Sequence, residues 1–143
     1  MKIIDNCLPQ DNFNTLQTFL KCEEFAWYYE DSIDFNYELD NKKFQFIHMF
    51  YISSAPCSPH FENLRPILDI LQPISLARIK ANLLTRTPNI VENEFHVDMK
   101  PMPEEKQKQW TTSIFYVNTN DGYTEFEDGT KVESVENRMV TFP

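Results

Sequence analysis

The chain has 143 residues, 22 acidic against 13 basic side chains and a net charge of −9. That length suits one domain with a real core, and the acidity excludes non-specific binding to DNA or RNA, which needs Lys and Arg against phosphates. Twelve Phe and six Tyr with only two Gly favour strands over flexible linkers. No run approaches the ~18 apolar residues of a membrane span. The opening MKIIDNCLPQ lacks the apolar stretch of a secretory signal, so a cytoplasmic protein without a membrane partner is expected. Cys7, Cys22 and Cys57 are odd in number and far apart, which suits free thiols better than a disulfide framework or a zinc site.

In chain order, residues 1–5 read as a short strand. Phe13, Leu16, Phe19 and Leu20 then recur at helical spacing, predicting a helix over Asp11–Cys22 with Asp11 or Asn12 near its cap. Phe25–Tyr29 and Phe44–Ile52 read as strands separated by a polar loop. A second helix is expected over Phe61–Leu71, with Pro66 in its first turn and Pro73 ending it. From Ser75 to Leu84 the alternation has period two, the mark of a half-buried strand. Further strands are expected at Glu94–Met99, Thr112–Asn118, Tyr123–Phe126, Thr130–Ser134 and Arg138–Phe142. Asn120-Asp121-Gly122 and Asp128-Gly129 are the hairpin signals between the later ones. Helices first and close-set strands afterwards predict an α+β, mainly β fold with a sandwich or barrel of strands. A boundary near residue 74 is conceivable, but a single domain over 1–143 is expected, with 1–74 supplying helices and supporting strands.

The sharpest chemical feature is Glu94-Phe95-His96-Val97-Asp98. In a strand, residues two apart share a face, so His96 and Asp98 would offer an imidazole and a carboxylate side by side. These are two thirds of a 2-His-1-carboxylate triad, which holds Fe(II) on one face and leaves positions open. His-x-Asp is a common triplet, and taken alone it describes a surface or hydrogen-bonded His–Asp pair better than a metal site. His48, amid Phe46, Ile47, Met49 and Phe50, reads as a hydrogen-bonded core histidine, and His60 as a solvated or capping residue at a helix entry. Trp27 and Trp110 read as apolar anchors, and Arg138 as a capping or pairing residue at a strand start.

The residues C-terminal to Asp98 give the triplet a context. A polar loop with prolines, Lys100–Gln109, precedes Ser113-Ile114-Phe115-Tyr116-Val117-Asn118, then Gly122-Tyr123-Thr124, then Asn137-Arg138-Met139-Val140-Thr141-Phe142. This order, from about Arg78 to Pro143, resembles the double-stranded β-helix (jelly-roll) core of Fe(II)- and 2-oxoglutarate-dependent dioxygenases of the prolyl 4-hydroxylase-like group. The resemblance implies His96 and Asp98 as iron ligands, with Tyr116 and Thr124 at the 2-oxoglutarate pocket. Tyr116 also suits a sheet-face tyrosine and Thr124 a hairpin threonine. Asn82 is placed within reach of the same pocket, although a strand-edge polar residue is its plainer reading.

The implied activity is hydroxylation of a substrate such as a peptidyl proline, with 2-oxoglutarate converted to succinate and CO2 and ascorbate as an accessory reductant. The second iron-binding histidine and the basic residue that pairs with the 2-oxoglutarate carboxylate would fall beyond Pro143. Glu104-Glu105-Lys106 with Lys108 reads as a solvated helical turn, with part of a lid over the site as the alternative. The alternatives are a catalytically inactive binding or assembly module on the same scaffold, and a cupin-like metal enzyme with another co-substrate. A sheet edge left open by missing strands would favour a homodimer.

Overall fold

The computed structural model describes residues 1–33, 43–96, 105 and 109–143. The fold is mixed α+β and mainly β, with antiparallel pairing throughout the described strands. The chain gathers into two compact units, one of Met1–Phe13 with Ile90–Pro143, the other of Asn14–Asn89.

The first unit is built on a three-stranded sheet. Strand β1 (Lys2–Ile4) pairs with β9 (Arg138–Phe142), which pairs on its other edge with β6 (Thr112–Tyr116). The register sets Ile3 opposite Val140 and Ile114 opposite Val140. Val140 is therefore central, and it is wholly buried beside Met139, at 1% exposure. Leu8 and Phe13 complete this core, with the Phe13 ring edge-on to Phe115 at 6.2 Å, a geometry favoured by the ring quadrupoles.

A separate hairpin pairs β7 (Tyr123–Glu125) with β8 (Lys131–Glu133). Its turn is the one announced by Asp128-Gly129. Gly129 sits at φ 82°, where a residue without Cβ carries no steric penalty. Its N–H donates to the Phe126 carbonyl at 2.8 Å, and the Asp128 carboxylate accepts the Thr130 N–H at 2.9 Å. That hydrogen bond holds the Asp128 carboxyl below its ordinary value. The second turn signal does something else. Asn120-Asp121-Gly122 joins β6 to β7, and these strands pair with β9 and β8 instead of each other. The Asn120 side chain accepts the Gly122 N–H at 2.8 Å, a local bond that turns the chain without a hairpin.

The second unit carries α1 from Asn14 onward, the helix as a whole running Gln10–Lys21, which buries Leu16 and Leu20. Its sheet is centred on β3 (Gln45–Ile52). One edge of β3 pairs with β5 (Ile79–Leu83), while β2 (Tyr28–Glu30) and β4 (Ala55–Pro56) are its other partners. The expected helix over 61–71 is a 3-10 turn, Phe61–Leu64, leading into α2, Arg65–Leu71. Pro66 stands in the first turn of α2, where its missing N–H has no partner to lose. Gln72 closes the helix in the left-handed region at φ 45°. Residues 75–78 lie outside β5, so the expected strand from Ser75 is shorter than its alternation suggested. No helix among the described residues is long and apolar enough to cross a membrane.

Candidate functional site

In the first unit the chain leaves β6 at Tyr116 and re-enters a strand at Tyr123, so Tyr116 and Thr124 come from strands with different partners. Their side chains nevertheless meet. The Tyr116 hydroxyl lies 2.7 Å from the Thr124 hydroxyl. Tyr116 is half-buried, and burial pushes its phenol above the ordinary value. It therefore stays protonated at neutral pH and keeps a hydrogen to donate.

The backbone beneath this pair is fixed by Asn137. Its N–H donates to the Tyr116 carbonyl at 2.9 Å, and its carbonyl accepts the Cys7 N–H at 2.9 Å. Its side-chain amide is used on both sides, accepting from the Leu8 N–H at 2.8 Å and donating to the Leu8 carbonyl at 2.9 Å. Asn137 has φ 59° and is 3% exposed. Asn tolerates the left-handed region better than other residues with a Cβ, so conformation and hydrogen bonding select the same residue. Next to it, Arg138 makes a fork onto the Asp5 carboxylate, with one arm at 3.1 Å, and donates to the Glu133 carbonyl at 3.2 Å. The guanidinium holds the Asp5 carboxyl below its ordinary value. Arg138 thus pairs at the start of its strand, in the role its position suggested.

His96 belongs to the same unit and is exposed. Residues 94–96 form no strand, which corrects the first half of the expected Glu94–Met99 strand. Its Nδ1 lies 3.0 Å from the Glu94 carbonyl. A carbonyl only accepts, so Nδ1 is the donor in this contact. A metal-ligating histidine commonly has its second nitrogen held by a carbonyl. Asp98 lies outside the described residues, as do 104 and 106–108 of the lid segment. Among the described residues no three His, Cys, Asp or Glu side chains converge as metal ligands. The segment before His96 is tied to the β7–β8 hairpin, because the Tyr123 hydroxyl donates to the Glu92 carboxylate. Lys131 sits 4.0 Å above the Tyr123 ring and pairs with Glu125 at 3.0 Å.

Asn82 is in the other unit, exposed on β5 opposite Ile47. That unit also contains His48 and His60. His48 is 5% exposed, with Phe25 and Phe50 rings at 4.4 and 4.7 Å. Its Nδ1 is 2.7 Å from the Ala26 carbonyl and its Nε2 2.8 Å from the Ser58 hydroxyl. It is the hydrogen-bonded core histidine that its apolar neighbours in sequence implied. His60 differs from expectation. It stands at the N-cap of the 3-10 turn without making a side-chain cap, and its ring packs edge-on to Phe19 at 5.0 Å. Ring packing next to Phe19 and Phe25 outweighs capping because the imidazole replaces water with aromatic surface there.

Sequence reading did not single out Asn137 or Ser58. For Asn137 a signal existed, since Glu136-Asn137 between two short strands marks a left-handed turn position. For Ser58 none did, because its partner lies ten residues away on a strand. No protein-family model, no curated protein and no solved structure matches this chain.

Proposed function

We propose that the unit formed by Met1–Phe13 and Ile90–Pro143 is the core of a jelly-roll, Fe(II)- and 2-oxoglutarate-dependent dioxygenase. In this reading His96 and Asp98 are iron ligands, and Tyr116 and Thr124 form one wall of the co-substrate pocket. The observation that carries it is the 2.7 Å contact between the Tyr116 and Thr124 hydroxyls. Two hydroxyls from strands with different partners form a polar pair in which Thr124 can donate to the Tyr116 oxygen, leaving the Tyr116 hydrogen for a carboxylate. The strand pairing supports the fold. β6 pairs with β9 and β7 with β8, in two separate sheets, and nested antiparallel pairs of this kind are compatible with a jelly roll.

Iron held with 2-oxoglutarate would supply the oxidising chemistry with O2 as oxidant, one oxygen atom going to the substrate hydroxyl and the other to succinate as CO2 leaves. The chain's own residues orient and retain. The Glu94 carbonyl orients the His96 ring through Nδ1, and Nε2 is the ligating atom. Tyr116 donates to the co-substrate carboxylate, and Asn137 holds the Tyr116 backbone in place. The substrate is a peptide side chain in this proposal, and that element rests on resemblance alone.

A second reading, a metal-free binding module on the same scaffold, is favoured by the exposure of His96 outside any strand. Anaerobic titration with Fe(II) and 2-oxoglutarate separates the two. The dioxygenase reading expects visible charge-transfer absorption that needs both additions and disappears in His96→Ala and in Asp98→Ala. Absence of that absorption at millimolar metal, or its survival in His96→Ala, would reject the reading and leave the binding module.

A further inference from the structure

In the Asn14–Asn89 unit, Ser58, His48 and the Ala26 carbonyl form a directed hydrogen-bond chain that the proposed oxygenase chemistry does not use. The carbonyl accepts and cannot donate, so the 2.7 Å contact places the imidazole hydrogen on Nδ1. Nε2 of the neutral ring is then an acceptor, and at 2.8 Å its donor is the Ser58 hydroxyl. Ser58 Oγ in turn accepts the His60 N–H at 3.1 Å. That contact holds the hydroxyl in one rotamer with its hydrogen aimed at Nε2 and leaves Oγ with electron density to offer an electrophile.

The surroundings match this chemistry. His48 is 5% exposed and packed against the Phe25 and Phe50 rings. Ser58 is half-buried, between exposed Cys57 and Pro59. A nucleophile within hydrogen-bond reach of a base, with the base oriented by a third group, is the arrangement that activates serine in unrelated folds. Here a backbone carbonyl takes the orienting place that a carboxylate often fills. It orients the ring through Nδ1 and contributes no negative charge to a developing imidazolium, so an activated substrate is expected.

We propose that Ser58 is a nucleophile activated by His48 and that it takes acyl groups from small carboxylic esters. Attack forms the bond from Ser58 Oγ to the acyl carbon while the hydroxyl proton passes to His48 Nε2. Collapse breaks the bond to the alcohol oxygen, which leaves with that proton. A water molecule then attacks the acyl carbon as its proton passes to His48 Nε2, and collapse breaks the Ser58 Oγ–acyl bond as that proton returns to Oγ, releasing the carboxylic acid.

The test is labelling of the intact 143-residue protein with an alkyl fluorophosphonate, which forms a P–O bond at an activated serine as fluoride leaves, followed by peptide mass mapping. The expected result is one adduct, on Ser58. It should be absent in Ser58→Ala and slowed about tenfold or more in His48→Gln, with p-nitrophenyl acetate hydrolysis reduced in parallel. Folded wild-type protein with no adduct on Ser58 would overturn the proposal, whatever the variants do. So would equal labelling rates in wild-type protein and a His48→Gln variant with a native circular dichroism spectrum.

Discussion

Each unit buries a polar side chain that ties distant segments together, Asn137 in one at 3% exposure and His48 in the other at 5%, and the two do so by opposite means. Asn137 is a backbone device. All its partners are main-chain groups, of Cys7, Leu8 and Tyr116 among them, and its own φ of 59° is part of the function. His48 is a side-chain device on a regular strand. It holds one carbonyl and one hydroxyl, and its ring face is spent on Phe25 and Phe50. The difference teaches where tolerance lies. A backbone clamp is lost with almost any substitution, whereas a ring in an aromatic box can be replaced by another ring at moderate cost.

The largest effect should come from Asn137→Ala. It strands the buried Leu8 N–H and carbonyl, at about 1–3 kcal/mol for an unsatisfied group, and adds about 1–2 kcal/mol for a Cβ in the left-handed region without a compensating side chain. A loss near 3 kcal/mol or more in urea unfolding is expected, on the order of the sum of those two costs. Asn137→Gly, which relieves φ but not the hydrogen bonds, should recover about 1 kcal/mol of it. Equal losses in the two variants would mean that φ contributes nothing.

His48→Phe sharpens the contrast. The ring keeps its place against Phe25 and Phe50, and the loss is confined to the contacts with Ala26 and Ser58, about 1–2 kcal/mol. A loss as large as that of Asn137→Ala would erase the distinction between clamp and box.

Tyr116→Phe should cost less, about 1 kcal/mol, since the Thr124 hydroxyl it abandons is only half-buried. Under the proposed function the same change weakens 2-oxoglutarate retention by about tenfold, equivalent to ~1.4 kcal/mol. Intact co-substrate binding in a stable Tyr116→Phe would remove Tyr116 from the pocket.

The smallest effect is electrostatic. Arg138 depresses the Asp5 carboxyl, so the folded state binds that proton less readily than the unfolded chain does. The stabilisation is complete above about pH 4, the unfolded value, and is lost as pH falls through the lower folded value. Asp5→Asn should flatten this acid limb and leave stability at neutral pH nearly unchanged, because the pair is solvent-accessible. An unchanged acid limb in Asp5→Asn would assign it to other carboxylates.

Local order was legible in the residues themselves. Periodicity placed both helices and the strand Arg138–Phe142, Pro66 and Pro73 bounded α2, and Asp128-Gly129 marked a true hairpin. Each of these depends on neighbours within a few positions, where propensity and side-chain period act directly. His48 was legible as a core residue because its apolar neighbours in a strand leave an imidazole little alternative. Pairing was not legible. Asn120-Asp121-Gly122 carries the same turn chemistry as Asp128-Gly129, yet it joins strands that pair elsewhere, because β9, much further along the chain, takes Thr112–Tyr116 as its partner. Ser58 against His48 and Tyr116 against Thr124 are likewise products of tertiary structure. The sequence supplies hydroxyls and an imidazole, but a hydrogen bond forms only when sheet register and loop path bring donor and acceptor to about 3 Å, and no local pattern encodes that distance.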